Sequence, residues 1–190
     1  MWTLGHRNPQ GLAFGPTGIL YESEHGPYSD DEINIILPQK NYGFPLVVGF
    51  AEGNYNGSAV APGSTVPLIV SEQANAAAIG PMYKDPIKSL FPASQAEVAV
   101  RYNNDKNNTP PFPNYYLSYP SAAPSGIEYY NSDAIPGWKN SLLVASLKLG
   151  RVFRLQLSPD GQDFERDTIA YFTGLGRFRD LAISPEGKKI

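Results

Sequence analysis

The sequence predicts an all-β chain built from short antiparallel sheets the size of a propeller blade. Three observations carry that prediction. Eighteen glycines and eighteen prolines spread through 190 residues interrupt the chain too often for long helices. Apolar residues alternate in short runs such as "GLAF" and "VFRLQL", which end in Pro-x-Gly or Ser-Pro-Asp-Gly turns, the period-two pattern of strands and hairpins. Finally, "GLAFGPTGILY" (11–21) and "DLAISPEGKKI" (180–190) share a Leu-Ala pair, a proline three positions after that alanine and a glycine two positions further on. The two copies stand 169 positions apart, room for about three blade-sized units. A partial third copy, "VFRLQLSPDGQDF", covers 152–164.

In chain order, "LGHRNPQ" (4–10) crowds a histidine, an arginine, an asparagine and a glutamine into the turn before the first strand. "GLAF" and "GILY" then read as a hairpin closed by Pro16-Thr17-Gly18. "SEHGPYSDDEINII" (23–36) is an oxygen-rich loop leading into a strand at 33–37, followed by the turn "KNYGFP" (40–45). Calcium takes roughly six to eight oxygens, and a Gly-Pro pair leaves carbonyls pointing outward, so Asp30, Asp31 and Glu32 beside Gly26-Pro27 suit a hard cation. The spacing is not that of an EF-hand, and an acidic turn satisfying its own backbone fits the same residues. Further on come the aromatic stretch "NYYLSYPSAAPSG" (114–126), the strand–turn–strand run "IPGWKNSLLVASLKLGRVFRLQL" (135–157), and "RFRD" (177–180) before the last copy. In a propeller, the loops at one end of the innermost strands converge on the axial channel. Arg7, Arg177 and Arg179 precede such strands and would face one pocket there; ordinary solvated surface charges are the alternative.

The formal charge of −3 argues against nucleic acid as a partner, since phosphate binding needs clustered basic residues. The absence of cysteine excludes disulfides, thiolate catalysis and cysteine-held metal centres. No apolar run reaches the roughly 20 residues that span a bilayer, and residues 1–7 do not form a signal peptide. Both ends read as cut. Little precedes the first strand, and the last copy stops where a return strand is expected, so a single partial domain over 1–190 is anticipated.

"LGHRNPQGLAF", "SEHGPYSDDEINII", "KNYGFP", "IPGWKNSLLVASLKLGRVFRLQL" and "RFRDLAISPEG", in that order, resemble the soluble quinoprotein glucose dehydrogenases and the related aldose-sugar and sorbosone dehydrogenases. The resemblance loosens between about residues 54 and 115. It implies a six-bladed β-propeller, represented here by its C-terminal half with about three blades. It also implies an oxidoreductase that uses pyrroloquinoline quinone (PQQ) and calcium to oxidise an aldose or sugar aldehyde by hydride transfer, passing electrons to an external acceptor.

The resemblance assigns cofactor contacts to Arg7 and Asn8 of the "HRNPQ" turn, to Lys148 of "ASLKLG", to Arg177 and Arg179 of "RFRD", and to Tyr116, Tyr119 and Ser121 of the aromatic stretch. Tyr119 stands where the glucose dehydrogenases carry tryptophan, and Ser121 where they carry threonine. Four cationic side chains match a tricarboxylate, because arginine forks bind carboxylates bidentately and lysine adds a point charge. Gly26 and Pro27 match the carbonyl ligands of the cofactor's calcium. A second, structural calcium pair is implied at Glu32, Tyr42, Val48, Phe50, Glu52 and Glu72, where Glu52 replaces an aspartate. No catalytic residue is assigned within the chain. The family's histidine base belongs upstream of the "HRNPQ" turn, and His6 and His25 occupy other motifs, so the polypeptide alone is expected not to oxidise sugar. Export to the periplasm or beyond, and a full-length homodimer, are further implications. A non-catalytic extracellular binding propeller is the alternative; it has no reason to keep all four basic residues on its axis.

Overall fold

The computed structural model describes residues 1–63, 65–166 and 168–190. Among the described residues two four-stranded sheets form, each ordered as a simple meander. The first contains β1 (Pro9–Phe14), β2 (Leu20–Glu24), β3 (Asp31–Ile35) and β4 (Lys88–Leu90); the second contains β5 (Pro124–Tyr130), β6 (Ser141–Ser146), β7 (Arg151–Gln156) and β8 (Ile169–Tyr171). α1 (Glu72–Ile79) lies in the connection between β3 and β4, and α2 (Gln95–Lys106) in the one between β4 and β5. The chain divides into two compact units, one of residues 1–8, 25–32 and 37–121, the other of residues 9–24, 33–36 and 122–190.

The hairpin read at 11–21 is present. β1 and β2 pair antiparallel, Leu12 opposite Glu22 and Phe14 opposite Leu20, around a short 3-10 turn at Pro16–Gly18. β6 is buried at every position and pairs with β5 and β7 on its two sides, which is why "SLLVAS" reads as nearly continuous apolar sequence. Its Leu143 packs with Tyr130 and Val152, and Trp138, Phe178, Leu181, Ile183 and Ile190 close over them. In the first unit the core gathers Tyr28, Val48, Tyr55, Ile69, Val98 and Tyr102.

Two expectations change. Where about three sheet units and no long helix are expected, two sheets form among the described residues, and the stretch 72–106 holds two helices. Residues 72–79 and 94–106 lack glycine and proline altogether, and α2 starts with a complete capping box, Ser94 and Glu97 each bonding the other's backbone N–H. The copy at 180–190 forms its turn, with Gly187 N–H donating to Ser184 O at 2.7 Å and Ser184 N–H to Lys189 O at 3.0 Å, but no sheet pairing among the described residues.

That segment nevertheless lies against β5. Gly126 N–H donates to Arg179 O at 2.9 Å, and the Ser125 hydroxyl to Phe178 O at 2.9 Å. β1 approaches the same strand: a Cβ on Gly11 would stand 2.6 Å from Ser125 O and 2.8 Å from Ile127 N, so only glycine permits the contact. The two best repeat copies, "GLAF" and "DLAI", thus both pack on β5.

Candidate functional site

The first unit brings three of the sequence motifs together. At its centre is the peptide plane joining His25 and Gly26. His25 O accepts from Arg7 Nη1 at 3.2 Å, and Gly26 N–H donates to Asp31 Oδ1 at 3.0 Å, so both polar ends of this plane are held. One residue back, His25 N–H donates to Asn8 O at 3.3 Å. Gly26 must be glycine: a Cβ there would overlap Ser29 O and stand 2.7 Å from Asp30 O. Pro27 has no N–H to donate. Among the described residues neither the Gly26 nor the Pro27 carbonyl accepts a hydrogen bond, although both residues are half-buried. Two adjacent carbonyls with no donor among the described residues form the kind of oxygen donor set that calcium uses. The residues therefore fit the cation the sequence reading assigned to them.

The acidic triplet does not act as one ligand set. The Asp30 carboxylate, fully buried at a positive φ of 59°, accepts from the Ser29 hydroxyl at 2.5 Å, Asn54 Nδ2 at 3.0 Å and the Ser89 hydroxyl at 2.7 Å. Burial pushes its pKa up, and these bonds pull it back. Asp31 holds Gly26 and also the Ser121 hydroxyl, 2.8 Å from Oδ2 and 3.0 Å from Oδ1. Glu32 Oε1 accepts from Gly49 N–H at 2.8 Å. The loop between Gly26 and Asp31 is shaped by Tyr55, whose buried hydroxyl accepts from Tyr28 N–H at 3.2 Å and Ser29 N–H at 3.1 Å.

Of the residues matched to a structural calcium pair, Glu32, Tyr42, Val48 and Glu72 are buried, Phe50 is half-buried and Glu52 is exposed. Glu72 Oε1 accepts from Val48 N–H at 2.9 Å, and Oε2 from Gly53 N–H at 2.9 Å and Tyr55 N–H at 3.3 Å. Burial raises its pKa to about 7 against the pull of those three bonds. Glu32 and Glu72 thus tie down the loop at 48–55, using N–H donors where a metal site would present carbonyls. Tyr42 stacks on His6 at 4.6 Å and accepts from Leu37 N–H.

In the aromatic stretch the three assigned residues part company. The Tyr116 ring is 62% exposed. Tyr119 meets Tyr28 edge-on at 5.4 Å and donates its hydroxyl to Asp105 Oδ1 at 2.8 Å. Ser121 donates to Asp31, as above.

The second unit carries the other three basic positions. Lys148 lies in the β6–β7 turn, whose backbone docks on residues 122–123: Leu147 N–H donates to Ala123 O at 2.9 Å and Lys148 N–H to Ala122 O at 3.2 Å. Gly150 in the same turn accepts from Gly174 N–H at 3.0 Å, which draws the approach to "RFRD" alongside. Arg177 and Arg179 are exposed on either side of Phe178, which packs into the core. Asp31 and Asp105 are the residues whose roles sequence reasoning missed; their partners lie 90 and 14 positions away.

A model of the family described as Glucose / Sorbosone dehydrogenase matches residues 1–88 and 91–189. Quinoprotein glucose dehydrogenase B of Acinetobacter calcoaceticus is 37% identical over 198 aligned residues, covering 100% of this chain and 41% of the relative. Aldose sugar dehydrogenase YliI of Escherichia coli strain K12 is 30% identical over 188 residues, covering 98% of this chain and 39% of the relative. Among solved structures, a glucose dehydrogenase superposes with a TM-score of 0.65 at 28% identity, covering 98% of this chain and 41% of that one. The PQQ-bound form of aldose sugar dehydrogenase from Streptomyces coelicolor gives a TM-score of 0.54 at 26% identity, covering 95% and 35%. The chain spans about two fifths of the length of the curated relatives it matches. No helix among the described residues is long and apolar enough to cross a membrane.

Proposed function

Because the chain belongs to the glucose/sorbosone dehydrogenase family, we propose that it is part of a PQQ- and calcium-dependent oxidoreductase acting on an aldose or sugar aldehyde. The observation that carries this reading is the clamped loop at 25–27, with two carbonyls that accept no hydrogen bond among the described residues, at the position the resemblance assigns to calcium. When bound, PQQ supplies the hydride acceptor, and calcium the Lewis acid that polarises it.

The chain's own residues bind and orient. Gly26 and Pro27 offer carbonyl oxygens to the cation. Arg7, anchored on His25 O, Lys148, Arg177 and Arg179 supply positive charge for the cofactor's carboxylates, and Asn8 supplies a planar amide. The exposed Tyr116 ring offers a stacking face, and Tyr119, fixed by Asp105 and Tyr28, stiffens the segment that presents it. Ser121 belongs to this loop but spends its hydroxyl on Asp31. Glu32, Tyr42, Val48, Phe50, Glu52 and Glu72 form a second candidate calcium set; the N–H bonds at Glu72 and the exposure of Glu52 support a weaker site there.

The fold reading extends in the same way. The two meanders are blades of a six-bladed propeller, and the packing of both repeat copies on β5 supports adjacent innermost strands. Export to the periplasm or beyond, an external electron acceptor and a homodimeric full-length protein complete the proposal. A dye-coupled assay of the full-length gene product across a panel of aldoses tests it. Sugar-dependent dye reduction that requires both PQQ and calcium is expected; reduction that persists without PQQ and in the presence of a chelator would contradict it.

A further inference from the structure

We propose that Asp31 is a positioning residue that presents the Gly26 carbonyl to a bound cation, and that Ser121 holds Asp31 in place for this task. The inference rests on the calcium reading above and goes beyond it by assigning two residues to the loop's orientation.

The argument starts from the peptide plane between His25 and Gly26. A trans peptide points its C=O and N–H in opposite directions, so gripping both ends fixes its rotation. Arg7 grips one end, through His25 O at 3.2 Å, and Asp31 the other, through Gly26 N–H at 3.0 Å. The next plane, between Gly26 and Pro27, has a carbonyl and no N–H, so no donor on it competes for orientation. Its direction follows from the clamped plane before it and from the crowding that forbids a Cβ at Gly26. Asp31 itself is fully buried, and a buried carboxylate needs donors on both oxygens. Gly26 N–H serves Oδ1, and the single proton of the Ser121 hydroxyl serves Oδ2 at 2.8 Å, with Oδ1 at 3.0 Å. Ser121 comes from the aromatic stretch, 90 positions away in sequence, so one carboxylate joins the cation loop to the segment that carries Tyr116 and Tyr119. Asp31 thus accepts from Gly26 N–H and the Ser121 hydroxyl, and acts on the cation through Gly26.

Ser121→Ala tests the arrangement more cleanly than a change at Asp31, because it removes the hydroxyl donor while sparing the buried carboxylate. Calcium affinity is measured by isothermal titration calorimetry, and terbium binding by luminescence sensitised by nearby tyrosines; circular dichroism confirms folding. The expected result is affinity about tenfold weaker for Ser121→Ala, restored by Ser121→Thr, with Asp31→Asn weaker still where it folds. A purely structural role lowers thermal stability and leaves affinity at the wild-type value. Ser121→Ala within twofold of a wild type that binds calcium overturns this proposal and leaves the calcium reading standing. A folded wild type that binds neither ion overturns the calcium reading and this proposal with it.

Discussion

Gly26→Ala is the substitution whose cost the structure defines most closely. The added Cβ would overlap Ser29 O and stand 2.7 Å from Asp30 O and 2.8 Å from Asp30 C. All three atoms are main chain, so no side chain can swing aside, and residues 26–30 must open. Overpacking of this kind costs about 1–3 kcal/mol. Opening also draws Gly26 N–H away from the buried Asp31 carboxylate, and a hydrogen bond to a charged group contributes about 1.5–3 kcal/mol. Together these amount to about 2.5–6 kcal/mol, or a fall in Tm of about 5–24 °C for a chain of this size. Gly57→Ala is the control. Nothing lies within 4 Å of its Cβ position and its φ is 81°, so it carries only the left-handed backbone penalty of about 1–2 kcal/mol. Urea unfolding followed by fluorescence and far-ultraviolet circular dichroism measures both. Equal destabilisation by the two alanines would refute the steric account of the loop.

Burial and the neighbouring Glu24 raise the Glu22 carboxyl far above the ordinary carboxylate range, with the bond from Asn34 pulling it back less. The folded state therefore keeps a proton that the unfolded state releases above about pH 4.5; stability is full below that pH and falls as pH rises toward the folded value. Glu22→Gln should flatten the decline of the urea midpoint between about pH 5 and 9, and parallel curves for variant and wild type would contradict this. Glu72→Ala strands the N–H groups of Val48, Gly53 and Tyr55, each worth about 1–3 kcal/mol when buried and unpaired; a loss above about 3 kcal/mol in the same assay is expected, and a loss below 1 would show that water replaces the carboxylate.

The β1–β2 hairpin was legible because alternation and a Pro-x-Gly turn are local signals. The strand pair β6–β7 was legible for the same reason. α1 and α2 were hidden by the overall glycine and proline count, although the Ser94-x-x-Glu97 capping box is itself readable in sequence. A single repeat copy does not report whether its strand finds a partner, and the copy at 180–190 forms its turn without sheet pairing among the described residues. At the site, motif positions named Gly26 and Pro27, but nothing local says that the neighbouring carboxylates would go to three different donor sets. The partners of Asp30 and Asp31 lie up to 59 and 90 residues away, beyond the reach of spacing.

The central claim is that this chain's cations and loop carbonyls serve a PQQ and calcium site, and its most direct test is an equilibrium titration of the protein with PQQ, followed by the cofactor's absorbance, with calcium or with a chelator present. Saturable binding that needs calcium and weakens about tenfold in Arg177→Ala, as expected for a lost charge-assisted bond, is the predicted result. Binding that is indifferent to the chelator and to the loss of Arg7, Lys148, Arg177 or Arg179 would contradict it.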